Sequence, residues 1–300
     1  MKQKSLILSF LLIFAGSITA QSDKIQEYKD LLFYGDIMMN AMEPTHRERA
    51  FQKFYPLFTA ALTQQGSFEL TFDELRWISK KYSEDKSFRI FTWYVQLNED
   101  DYRYHGIIQK RDGSIFALND AFKNSEDSDS EEFNAETWLG SLYYNIMDID
   151  EPDGSKYYIL FGINKWNRFE NIKIADILFF PGEGKPVFGK EVFYFKDRDG
   201  DLKKLNRIIL RYSADAMVSL NYNHDLKMIV MDHLIPRMGR GDGQDLTMVP
   251  DGSYSGYILD SGVWKYVDKL HTEILNEAPR PKPVMEKRKG NNIFGKQKKQ

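Results

Sequence analysis

Residues 88–110 read FRIFTWYVQLNEDDYRYHGIIQK. Two stretches dense in β-branched and aromatic side chains flank the polar link NEDD at 98–101. A link that short can only fold the chain back on itself, so the pair predicts an antiparallel hairpin. The same texture continues downstream. Strands are expected near 89–97, 102–110, 114–118, 156–163, 172–180, 187–195, 206–213, 216–222, 227–233, 253–259 and 263–269. Links such as RDG at 111–113, SADA at 213–216 and DSG at 260–262 are again hairpin-sized. The fold class that follows is α+β, mainly β: N-terminal helical segments, then a large antiparallel hairpin-rich sheet closing as a sandwich, a barrel or a propeller-like array. A loose recurrence of Arg-Ile at positions 89 and 207 is too weak to count blades.

Upstream of this region the hydrophobic period lengthens from two to between three and four. Ile25, Tyr28, Leu32, Gly35 and Met39 form one apolar stripe over 23–42. Thr45 with Glu48 makes a capping-box pattern ahead of Ala50, Phe51, Phe54, Leu57, Phe58 and Ala61, and Pro56 is expected to kink or interrupt that helix. Thr71 with Glu74 repeats the pattern before Leu75, Ile78 and Tyr82, which predicts a third helix. One further helix is expected inside the strand region, from the spacing of Leu139, Leu142, Tyr143 and Ile146 after an exposed acidic run from Glu126 to Glu132.

The two ends differ from the body. Lys2 and Lys4 precede an apolar run at 6–14 and a small-residue site at Ile18-Thr19-Ala20, the pattern of a signal peptide with cleavage near Gln21. That run is about half the ~20 residues a membrane span needs. The chain has no cysteine, so a lipid anchor attached at such a residue, disulfides and thiolate zinc are all excluded. The leader carries +2 and residues 280–300 carry +7, so the total of −3 leaves −12 on residues 21–279. An acidic body argues against nucleic acid as a partner. The basic tail has too few apolar groups to order itself and is a candidate contact for an envelope protein, a polysaccharide or an anionic surface. The expected organisation is a leader at 1–20, a helical region at 21–85, a β domain at 86–272 and a basic disordered tail at 273–300.

Familiar catalytic signatures are missing. Gly252-Ser-Tyr-Ser-Gly256 carries Tyr254 where a nucleophile elbow needs serine, and there is no His-Glu-x-x-His, phosphate loop or dinucleotide fingerprint. Asp197, Asp199 and Asp201 alternate as cation ligands do. The glycine follows the second carboxylate, however, and Ile208 stands at position twelve, so an EF-hand is excluded and a polar hairpin tip is the simpler reading. No cofactor is expected, with a divalent cation as the open alternative. The densest polar cluster is late: Asp232 and His233 end a strand and Asp251 follows, a combination that can run acid-base chemistry because a carboxylate fixes the imidazole tautomer. The simpler expectation for His233 is a buried histidine satisfied at a strand end. Trp166, Tyr254 and Trp264 are candidates for stacking on sugar rings, against a plain core role.

Several strings resemble a group of uncharacterised exported proteins of Bacteroidetes-type bacteria: Arg89-Ile-Phe-Thr-Trp93, Tyr104-His-Gly-Ile-Ile-Gln109, Tyr157-Tyr-Ile-Leu-Phe-Gly162, Pro186-Val-Phe-Gly189, Met231-Asp-His-Leu-Ile-Pro236 and Pro250-Asp-Gly-Ser-Tyr254. The resemblance spans roughly residues 70 to 270, implies a single unit and an envelope location, and carries no activity. The leading expectation is an exported, soluble, periplasmic or secreted protein that binds or supports rather than catalyses. The alternatives are a metal-dependent or acid-base hydrolase built on Asp232, His233 and Asp251, and a carbohydrate-binding module.

Overall fold

A computed structural model describes residues 26–124, 128–182, 184–196, 199–239 and 244–270. The leader expected at 1–20, the basic tail expected at 273–300, Glu126 and Asp127 of the acidic run, and Asp197 lie outside the described residues. Two α-helices, α1 at 26–40 and α2 at Pro44–Thr63, precede three antiparallel-rich sheets. Sheet one contains β1 (Ser79–Tyr82), β2 (Phe88–Gln96), β3 (Tyr102–Lys110) and β4 (Ile115–Asn119) in chain order. Sheet two contains β5 (Phe133–Asn134), β6 (Leu142–Asp150), β7 (Lys156–Lys165), β8 (Glu170–Phe179) and β9 (Val187–Phe188) in the order β5-β9-β8-β7-β6, with β12 (Ile208–Ser213) also paired to β8. Sheet three runs β11-β10-β16-β15-β14-β13, built from β10 (Phe193–Lys196), β11 (Leu202–Leu205), β13 (Leu220–Asn223), β14 (Met228–Met238), β15 (Leu246–Asp260) and β16 (Val263–Val267). Among the named strands of the described residues one pairing departs from the antiparallel rule, a short parallel contact of β10 with β16. Among the described residues none of the sheets closes into a barrel.

The layers follow from side-chain alternation. On β2, Phe91, Trp93 and Val95 face the helices and pack with Leu31, Met38, Phe54 and Phe58. Phe88 and Ile90 on the same strand face the other way, against Tyr143, Tyr158, Leu160 and Ile174 of sheet two. The opposite face of sheet two, with Tyr157, Ile159, Phe161 and Ile177, packs on Ile229, Met231, Tyr257 and Trp264 of sheet three. Sheet two is therefore covered on both faces, which is why Tyr157-Tyr-Ile-Leu-Phe161 shows no polar alternation. The order is helices, sheet one, sheet two, sheet three. Each fully buried aromatic ring contributes about 1.5–3 kcal/mol of burial free energy.

Several sequence expectations change here. The helix expected over 139–146 is a strand: β6 has a register shift between Tyr143 and Asn145, which puts Tyr143 and Ile146 on one face and so imitates helical spacing with a bulge. The third helix is absent. Phe72 adopts φ +52, the left-handed region, and Thr71 bonds the side chain of Asp73 at 2.7 Å instead of capping a helix. The carbonyls of Phe72 and Leu75 are taken by the Lys80 ammonium at 2.8 and 2.9 Å, and the chain enters β1. The boundary drawn at residue 85 thus falls between two strands of one sheet.

Helix α2 starts two residues earlier than a Thr45 cap implies, at Pro44, with Glu43 as an N-cap that makes no side-chain capping bond. Proline suits that first position because its missing N–H is unused there. Pro56 lies inside α2 without ending it; the apolar face of Phe54, Phe58 and Leu62 holds the helix on sheet one across the lost hydrogen bond. The strand expected at 187–195 is two strands in different sheets, and the strands expected at 227–233 and 253–259 extend into a long ribbon of β14 and β15. Among the described residues no helix is long and apolar enough to cross a membrane.

Candidate functional site

The β14–β15 ribbon is regular on either side of one irregularity. Asp232 pairs with Tyr254, and the next pair is Leu234 with Pro250, so His233 alone stands opposite Asp251, Gly252 and Ser253. Such a bulge bends the strand and re-aims side chains. The tight excursion requires Gly252 at φ +89, a conformation open to glycine at no steric cost. Asp251 organises the turn, accepting the Ser253 N–H at 2.8 Å and the Ser253 hydroxyl at 2.7 Å on Oδ1. Its other oxygen, Oδ2, lies 2.9 Å from His233 Nδ1. The hydroxyl and N–H of Ser253, and then His233, hold the Asp251 carboxyl below the usual carboxylate range, at about 2. With Asp251 ionised, Nδ1 carries the proton and Nε2 is the acceptor end of the neutral ring.

His233 is not the buried strand-end histidine of the simpler expectation. Its side chain is 29% exposed, and it lines a cleft of about 580 Å³ between the β12 edge of sheet two and the inner end of sheet three. The apolar part of the lining is Ile209, Leu210, Met231, Leu234 and Met248; the polar part includes Arg211, Asp129 and Asp232. Among the described residues β12 pairs only with β8, so alternate backbone amides along Ile208–Ser213 face away from sheet two at this edge. Asp232 performs a structural task in the wall: its Oδ2 accepts the Ser219 N–H at 2.6 Å and its own N–H bonds the Ser219 carbonyl at 3.2 Å. Of the three residues singled out from sequence, His233 and Asp251 form a hydrogen-bonded pair and Asp232 frames it.

The other candidates are placed apart. Trp264 is 1% exposed, donates its indole N–H to Tyr157 at 3.1 Å, and offers no face to a sugar ring. Tyr254 is 41% exposed. Trp166 is half-buried, edge-on to Phe122 at 5.2 Å, with the Arg211 guanidinium 4.5 Å above its ring. Asp199 and Asp201 sit in the exposed β10–β11 link, and Asp197 is outside the described residues. Among the described residues no cluster of three or more histidine, aspartate or glutamate side chains is placed to hold a metal ion.

Three charged residues that matter were not singled out. Arg211 lines the cleft, and Arg89 and Arg207 are 0% exposed. The recurrence of Arg-Ile at 89 and 207 was their visible trace. No protein-family model, curated protein or solved structure matches the chain.

Proposed function

We propose that the protein is an exported, non-enzymatic binding component of the cell envelope whose ligand site is the cleft between sheets two and three. Export, to the periplasm or beyond, is supported by Lys2, Lys4 and the apolar run at 6–14. The ligand site is supported by one observation above the rest: a bulge delivers His233, oriented by Asp251, into a cleft of about 580 Å³. That volume lies within the range of small-molecule pockets, and the wall is divided about equally between an apolar strip and polar side chains that include His233, Arg211 and Asp232. A neutral amphiphile, 1-octanol, is the matching probe: its chain suits Met231, Leu234 and Met248, and its hydroxyl can donate to Nε2. Calorimetry is expected to show saturable binding that Met248→Trp, which fills the cleft, abolishes without lowering the melting temperature. Binding that survives Met248→Trp unchanged contradicts the reading.

The second reading is acid-base catalysis, favoured by the His233–Asp251 hydrogen bond itself. A carboxylate-oriented imidazole acting as general base contributes about 10²–10⁴ in rate. If the site is hydrolytic, p-nitrophenyl butyrate is turned over and His233→Gln lowers the rate at least a hundredfold. Turnover equal in both proteins removes this reading and leaves binding.

A further inference from the structure

Arg211 is the exceptional group in the cleft wall. Its guanidinium lies over the rings of Trp166, at 4.5 Å, and Phe122, at 5.8 Å, at the β12 edge on the side where Ile209 packs, so aromatic faces support its position. Among the described residues it makes no hydrogen bond and no ion pair within 4.0 Å. A guanidinium presents five N–H donors in a rigid fork that matches a carboxylate bidentately, and here that fork is already oriented before any ligand arrives. Most other exposed arginines of the fold are committed, as Arg168 is to Asp100 at 2.6 Å and Arg103 to Glu48 at 3.4 Å. Glu170 on the neighbouring strand acts on its charge through space, and two carboxylates share the cleft wall with it. Asp232 is engaged by the Ser219 N–H, while Asp129 is exposed at the cleft's margin.

Around Arg211 the surface changes character within a few residues. Ile209, Leu210, Met231, Leu234 and Met248 give the cleft an apolar wall, and methionine side chains adapt to chains of differing shape. His233 contributes a second nitrogen that can donate or accept. A cation at one place, an apolar wall beside it and an imidazole on the ribbon define a ligand with a charged head and an apolar body.

Resting on the proposed binding role of this cleft, we propose that its ligand is an organic carboxylate with an apolar chain, held at the head by Arg211. The carboxylate takes the free fork of the guanidinium, and the chain lies along Leu234, Met231 and Met248. Charge-assisted, bidentate bonds of this kind are roughly twice as strong as neutral ones, which sets the carboxylate above an alcohol of the same length.

The test compares octanoate with 1-octanol on the mature protein near neutral pH, by calorimetry, in wild type and Arg211→Gln. Octanoate is expected to bind wild type at least tenfold more tightly than 1-octanol. Arg211→Gln is expected to erase that preference while changing 1-octanol affinity less than twofold, which also shows that the variant is folded and its cleft intact. Raising the salt concentration should weaken octanoate and leave 1-octanol unaffected. Equal or weaker binding of octanoate in wild type, or a preference that persists in Arg211→Gln, overturns the assignment to Arg211 while the cleft remains a ligand site. Saturable binding of neither probe overturns both.

Discussion

Arg207→Met is expected to lower stability by about 3–5 kcal/mol, the usual cost of removing one partner from a buried ion pair and leaving the other charged. Arg207 Nε donates to Asp176 Oδ1 at 2.8 Å with both side chains fully buried. The remaining donors reach the carbonyls of Ser128, Glu131 and Phe188, so one side chain ties the 128–131 segment and β9 to β8 of sheet two. Gly189, at φ +92, leaves room for it: a Cβ there would lie 2.2 Å from an Arg207 nitrogen. In a chain of this size the loss corresponds to a fall of about 10 °C in melting temperature. The double variant Arg207→Met with Asp176→Leu is expected to recover much of it, because removing both charges removes the desolvation penalty as well.

The pH dependence of the single variant follows in sign. Burial pushes the Asp176 carboxyl above its usual range, and Arg207 opposes that shift. Without Arg207 the carboxyl rises further. A group whose folded value is raised by burial binds its proton more tightly in the folded state. The deficit of Arg207→Met relative to wild type should therefore be smallest at acidic pH and grow as pH rises from the wild-type Asp176 value, itself already raised, toward the still higher value of the variant. Melts at a series of pH values check this; a deficit that is flat or largest in acid contradicts it.

Arg89→Met should cost a similar amount, about 3–5 kcal/mol, by a different route. Among the described residues Arg89 has no carboxylate within ion-pair distance. It donates to Gln109 Oε1 at 2.8 Å, the Tyr82 hydroxyl at 2.7 Å, and the carbonyls of Leu70 at 2.5 Å and Ser67 at 2.7 Å. Phe68, Phe72, Tyr82 and Phe91 surround it, the nearest ring centre at 4.7 Å. Replacement strands several buried acceptors, at roughly 1–3 kcal/mol each before relaxation. No orphan charge remains, so this deficit should not vary with pH as that of Arg207→Met does. Arg89→Lys should fail to rescue, since a point cation cannot serve four partners arranged around a planar fork. Wild-type stability in Arg89→Lys would show that charge alone, among the rings, holds the 67–72 segment.

Sequence reading succeeded where one physical signal dominated. The hairpin at 88–110 was legible because alternating burial and a four-residue link act together, and β3 ends where the sequence placed it, at Lys110. It failed where a local irregularity changed the period: the bulge in β6 made a strand read as a helix, and the left-handed Phe72 broke a capping pattern that was otherwise complete. The stack of three sheets was not legible, since period two says that a face is covered and not by which layer. At the site, Asp232, His233 and Asp251 could be named from residue type. Their division into a hydrogen-bonded pair and a wall residue depends on the register shift, which has no signature beyond Asp251-Gly-Ser253. Arg211 was invisible because its significance lies in Trp166 and Phe122, both far away in sequence.

The most direct measurement is a methionine-methyl NMR titration of the protein with octanoate, because methionines report on both the cleft and the rest of the surface. Met231 and Met248 line the cleft, while Met42 and Met217 are each 92% exposed elsewhere. The cleft as ligand site predicts saturable shifts of the Met231 and Met248 signals with those of Met42 and Met217 unmoved. Unmoved cleft signals, or shifts of all four in parallel without saturation, would contradict it.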